Sequence, residues 1–153
     1  MFFSKKAQYF TSIRFKIIKK LEKAVKYGKI KKKGGSIMTR EELIEYVENV
    51  YSSFSEYPWK TAPSFAVFRH SNNKKWFAVI MNIQKSKLGI HSQEFFDIVN
   101  LKIDPNLLGS LLIDDGIYPA YHMNKNHWIS VALDELPREK LEFLLDMSWE
   151  LTK

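Results

Sequence analysis

Val67-Phe68-Arg69-His70-Ser71-Asn72-Asn73-Lys74-Lys75-Trp76-Phe77-Ala78-Val79-Ile80-Met81-Asn82-Ile83 is the stretch on which the fold turns. Two runs rich in β-branched and aromatic residues, 65–70 and 76–83, flank Ser71-Asn72-Asn73-Lys74, a polar segment of the kind that closes tight turns. An antiparallel hairpin is the expected result. Working outward towards the C-terminus, residues 89–91 read as a short third strand and 95–103 as a longer one ending at Asp104-Pro105. Residues 106–113 are Leu-rich and read as a short helix. Residues 118–121 and 128–133 are strands around the polar turn His122-Met123-Asn124-Lys125-Asn126-His127. Pro137 opens a last helix, where its missing N–H costs nothing, and Leu141, Leu144, Leu145, Ser148, Trp149 and Thr152 supply its buried face. Towards the N-terminus, Thr39 and Glu42 have the spacing of a capping box. Leu43, Ile44, Val47, Val50 and Tyr51 follow as an apolar stripe at helical period. Helices at both ends with strands between them make an α+β class, with the terminal helices covering one face of an antiparallel sheet.

Charge divides the chain. Of its 153 residues, 1–37 carry twelve Lys or Arg against Glu22, a net +11, whereas 38–153 carry twelve basic and sixteen acidic residues, a net −4. The overall +7 therefore belongs to an arm rather than to the body. Within the arm Phe3, Ala7, Phe10, Ile13, Ile17, Leu21, Ala24 and Val25 recur at three- and four-residue spacing, which predicts an added basic amphipathic helix. Gly28 is a plausible stop, and Lys31-Lys32-Lys33-Gly34-Gly35-Ser36 reads as a tether. Two domains of unequal kind are expected, the arm at 1–37 and a folded domain at 38–153. Such an arm suits nucleic-acid phosphates, an anionic membrane, its own body or a second copy in a homodimer. No stretch of 18 uncharged apolar residues occurs, so no membrane span is expected. Absence of cysteine excludes disulfides, thiol nucleophiles and cysteine zinc sites, and fits a cytoplasmic location.

Catalytic motifs are not found. The serines sit in no Gly-x-Ser-x-Gly elbow, and no glycine-rich phosphate loop occurs. His122 and His127 alone form a weak metal motif, and Glu41, Glu42, Glu45 and Glu48 read as a solvated helix face. No enzyme activity, cofactor or metal is expected. Binding signals are stronger. Arg69, Lys74, Lys75 and Trp76 surround the hairpin turn, and Lys102 ends a strand. His122, Asn124, Lys125, His127 and Trp128 gather in the second polar turn. Such turns reach phosphates through Lys and Asn and stack bases on Trp.

Several segments resemble the MmcQ/YjbR family: Met38-Thr39-Arg40-Glu41-Glu42-Leu43, Val67-Phe68-Arg69-His70, Asn73-Lys74-Lys75-Trp76-Phe77-Ala78, Asn100-Leu101-Lys102-Ile103-Asp104-Pro105, Pro119-Ala120-Tyr121-His122-Met123-Asn124-Lys125-Asn126-His127-Trp128 and Leu145-Asp146-Met147-Ser148-Trp149. The resemblance spans about residues 38–153. It implies a sheet like that of the bacterial frataxin homologue CyaY, and DNA binding through a double-wing arrangement of hairpins, with no enzyme activity. Trp149, where Tyr is more usual, and Ile103, where Cys often sits, read as core exchanges. A different class of function is a cleft near Trp59, Arg69, His122, Asn124 and Trp128 that binds an anionic small molecule or a protein and has no DNA role.

Overall fold

A computed structural model describes residues 35–153 together with Lys19. The expected arm helix, its tether and any dimer formed through it otherwise lie outside the described residues. Ser36–Lys153 is one compact unit. Helix α1, Arg40–Tyr51, starts at the expected capping box: Thr39 Oγ1 accepts from Glu42 N–H and Glu42 Oε2 accepts from Thr39 N–H at 2.8 Å. Leu43 and Val47 are buried, but Val50 is 52% exposed, against its expected place in the stripe. Each i,i+4 step rotates the stripe by about 40°, so by the last turn its centre has moved to Tyr51 and Val50 lies on the flank.

The strands are β1 (Ala66–Arg69), β2 (Trp76–Gln84), β3 (Phe95–Lys102), β4 (Ile117–Pro119) and β5 (Trp128–Ala132). They form one antiparallel sheet in the order β1-β2-β3-β5-β4. The expected strand at 89–91 is not formed. Those residues belong to the β2–β3 connection, which opens with the 3-10 turn Lys85–Leu88. Gly89, at φ 79, closes that turn, and Ser86 N–H bonds the Ser92 carbonyl at 3.0 Å, so the segment pairs with itself beyond the last ladder pair, Gln84 with Phe95. The Leu-rich segment forms a 3-10 turn, Pro105–Leu107, and a single-turn α2, Leu108–Leu111. Helix α3, Arg138–Thr152, follows Pro137.

Both faces of the sheet are buried, each by different material. On one face Phe68, Ile80, Val99, Leu101, Ile129 and Val131 pack against Leu43 and Val47 of α1 and Leu141, Leu144 and Leu145 of α3. On the other, Val67, Val79, Met81, Ile83, Phe96 and Ile98 are covered by Trp59, Phe65, Trp76, Leu88, Ile90, Tyr118 and Tyr121, most of them from loops. Double burial explains why β2 reads as a near-continuous apolar run.

A β-bulge sets the two faces apart at the start of β2. Arg69 pairs with Trp76 and Phe68 with Ala78, so Phe77 is the extra residue. Phe77 enters the helix-side core while Trp76 turns to the loop-covered face. Ser148 of α3 locks the bulge: its hydroxyl donates to the Phe77 carbonyl and accepts from Lys102 N–H at 2.9 Å.

Candidate functional site

In this antiparallel order the C-terminal ends of β1, β3 and β4 and the N-terminal ends of β2 and β5 lie at one end of the sheet. Nine residues singled out from the sequence as binding candidates sit at that end: Arg69, Lys74, Lys75, Lys102, His122, Asn124, Lys125, His127 and Trp128. The hairpin tip flanks β3 on one side and the 120–127 turn flanks it on the other, with Lys102 at the exit of β3 between them.

The hairpin tip is built as a rigid display. His70 is buried, and its Nε2 lies 2.8 Å from Thr152 Oγ1 and 3.0 Å from the Trp149 carbonyl. Its ring stacks on Trp149 with centroids 3.8 Å apart. Burial holds this imidazole below its usual pKa, the Trp149 carbonyl opposes that, and Lys153 and Lys75 reinforce it against Glu150. Asn73 donates to the Thr152 carbonyl at 2.9 Å and accepts from Lys75 N–H at 2.9 Å. Lys74 takes a left-handed φ of 59°, which closes the turn and leaves Lys74 and Lys75 exposed. The tip is thus fastened to the end of α3.

The second turn spends some of its polar groups on itself. Asn124 Oδ1 accepts from Asn126 N–H at 2.9 Å, and the Asn124 carbonyl accepts from His127 and Trp128 N–H. The Asn124 side chain therefore builds the turn. Lys125 and His127 are exposed, while Trp128 is buried with Lys102 Nζ 6.0 Å above its ring. His122 is exposed in a left-handed conformation, φ 55°, with its ring against Tyr121 at 4.0 Å. Among the described residues no three His, Asp or Glu side chains gather as a metal site.

A cleft of about 380 Å³ opens on the loop-covered face. Trp59, Phe65, Trp76, Tyr121 and His122 are in its wall, Val79 and Met81 in its floor, and Thr61 and Asn100 add polar groups. Trp59 and Trp76 stand almost perpendicular, 88° at 5.6 Å, and the Arg69 guanidinium lies 5.2 Å over Trp76. Arg69 Nε also donates to Glu56 at 3.2 Å. Of the five residues expected around a cleft, Trp59 and His122 line it and Arg69 stacks on its wall. Asn124 and Trp128 are not in the lining, one being turned into its own loop and the other packed under Lys102.

Sequence reasoning missed Asn100 and Tyr121. Asn100 is fully buried; its Nδ2 donates to the Tyr121 carbonyl at 2.7 Å and its Oδ1 accepts from Ser130 Oγ at 2.6 Å. Ser130 Oγ in turn accepts from Tyr121 N–H at 2.8 Å. The available signal was an amide inside the apolar run of β3, where a buried polar group requires partners.

Fold and site together define a small α+β domain with an aromatic cleft on one sheet face and a lysine-bearing sheet end. The YjbR family model matches residues 49–151, and the chain belongs to that family. It is 39% identical over 118 residues to the uncharacterised protein YyaQ of Bacillus subtilis, covering 76% of this chain and all of that one. With the uncharacterised protein YbdF of Escherichia coli O157:H7 it shares 33% identity over 103 residues, covering 64% of this chain and 72% of that one. A crystal structure of a Pseudomonas syringae protein has the same fold at a TM-score of 0.75 and 44% identity, over 76% of this chain and all of the other. A Deinococcus radiodurans protein, at 24% identity, TM-score 0.56 and coverage of 74% and 77%, shares the fold.

Proposed function

We propose that this protein binds DNA, without catalysing a reaction on it, through the lysine-bearing end of its sheet. The observation that carries the reading is the convergence of Arg69, Lys74, Lys75, Lys102 and Lys125, from four separate strand ends and turns, on that one end. The net −4 of residues 38–153 counts against this reading, and five of its sixteen acids lie away from the lysine end. Glu94, Asp114, Asp115, Asp134 and Glu135 belong to connections at the opposite end of the sheet. At the lysine end Asp104 accepts from its own Asn106 N–H, Glu56 holds Arg69 and Glu150 holds Lys153. Two turns flanking a central lysine match a two-winged grip on a phosphate backbone, and the arm at 1–37 adds attraction indifferent to sequence.

The test is fluorescence anisotropy of a labelled duplex across a salt series, with the full chain and with a chain beginning at Ser36. Ser36 is kept because its carbonyl accepts from Arg138 N–H at 2.9 Å, and Met38 is kept because it is buried in the core. The shorter chain should bind at low salt, and Lys74→Gln/Lys75→Gln/Lys125→Gln should flatten its salt slope by about one unit per lysine. No affinity in the shorter chain, or an unchanged slope in the triple variant, would overturn the proposal.

A further inference from the structure

The lysine end leaves the aromatic cleft unexplained. Its volume, about 380 Å³, falls within the range of small-ligand pockets. Its walls favour a flat guest. Trp59 stands at 88° to Trp76 and at 75° to Phe65, so a planar ring lying on one face meets the edge of the next. The walls are also held in place. The bulge at Phe77 aims Trp76 into the cleft, and the Asn100–Ser130 pair clamps both backbone groups of Tyr121. The left-handed backbone of His122 sets its ring beside Tyr121 at the rim. One cation, Arg69, lies directly against the aromatic wall. Arg69 rests on Trp76 with Nε bonded to Glu56 Oε2 at 3.2 Å, and Lys75 precedes Trp76 in the chain. Lys102 shares the sheet face of Asn100, two residues along β3.

An aromatic corner beside an arginine fits one chemistry: a planar heteroaromatic ring joined to a phosphate. We infer that this cleft binds a nucleotide unit, its base among Trp59, Trp76 and Tyr121 and its phosphate towards Arg69. A free nucleotide and an unpaired base within a single strand are two sources of that same chemistry. The second source rests on the nucleic-acid reading above, and the first stands without it.

The test uses the full chain at about 0.15 M salt, which screens the arm's long-range attraction. Intrinsic tryptophan fluorescence is followed on adding deoxyadenosine monophosphate, a short single-stranded oligodeoxyadenylate, or a duplex of the same length. Trp59→Ala should weaken binding about tenfold, and Trp59→Phe, which keeps a ring, should restore most of it. Thr61→Glu places a repelling charge at an exposed position of the lining and should also weaken binding while leaving the far-UV circular dichroism unchanged. Saturable mononucleotide binding that depends on Trp59 supports a free nucleotide. Dependence seen for the single strand alone supports an unpaired base. If single strand and duplex bind alike and neither Trp59→Ala nor Thr61→Glu has an effect, the cleft inference falls while the lysine-end reading survives. If the mononucleotide binds and neither strand form does, the cleft takes a free nucleotide, and the lysine end is judged by its own low-salt titration. Absence of any binding overturns the cleft inference.

Discussion

Replacing Asn100 by alanine should be one of the most costly single polar deletions in this domain. Asn100 is a fully buried residue of β3, paired across the sheet with Ser130 of β5. Its deletion strands two groups at once: the Tyr121 carbonyl loses its 2.7 Å donor, and the buried Ser130 hydroxyl loses its 2.6 Å acceptor. A buried group left without a partner costs about 1–3 kcal/mol. The two together give about 2–6 kcal/mol, and because the cleft admits water near the half-buried Tyr121 the expected value is about 3 kcal/mol. Ser130→Ala removes the same shared bond and also the acceptor for Tyr121 N–H, and should cost about 2 kcal/mol. In the double variant the shared bond is lost only once, so the total should fall short of the sum by about 1 kcal/mol. Urea unfolding followed by circular dichroism measures all three as shifts in midpoint at constant slope. An Asn100→Ala cost below about 0.5 kcal/mol, or strict additivity of the pair, would refute the clamp and with it the argument that the cleft wall is held in place.

Other substitutions probe other joints. Ser148→Ala should lower stability by about 2 kcal/mol, since it strands the Phe77 carbonyl and the Lys102 N–H together; thermal unfolding checks it. Gly116 and Gly89 both have positive φ, 84° and 79°, but a Cβ at Gly116 would meet Glu135 Cβ at 3.0 Å whereas one at Gly89 meets open space. Gly89→Ala should therefore cost about 1 kcal/mol and Gly116→Ala clearly more, by denaturant midpoint. His70 titrates below the ordinary imidazole value of 6.5 when folded, so the unfolded chain binds the proton first as pH drops. Stability should be highest above pH 6.5 and decline as pH falls from there towards the folded pKa, at up to about 1.4 kcal/mol per pH unit from this group. In His70→Phe that part of the decline should vanish; an identical pH profile in the variant would refute it.

Local chemistry was readable in advance, and long-range pairing was less so. The capping box of Thr39 and Glu42 spans four residues and was legible because both partners lie within it. The hairpin and the two turns announced themselves through Asn, Lys and Ser, and the nine residues they pointed to share one end once the strands pair. Asn124 shows why a turn residue is ambiguous in a sequence: its Oδ1 serves its own backbone, as such side chains do as readily as they meet a ligand. The strand expected at 89–91 failed because β-rich composition does not supply a partner, and the ladder ends at Gln84 and Phe95.

The sequence alone determined the α+β class, the terminal helices, the charge division at residue 37 and the family resemblance, because period, caps and turn residues act over a few positions. Tertiary structure decided the rest. Burial of both sheet faces, the turning of Trp76 by the bulge at Phe77, and the meeting of Trp59, Asn100 and Tyr121 around one cleft all depend on strand register. Register is set when distant apolar faces bury one another, and no short window of residues contains it.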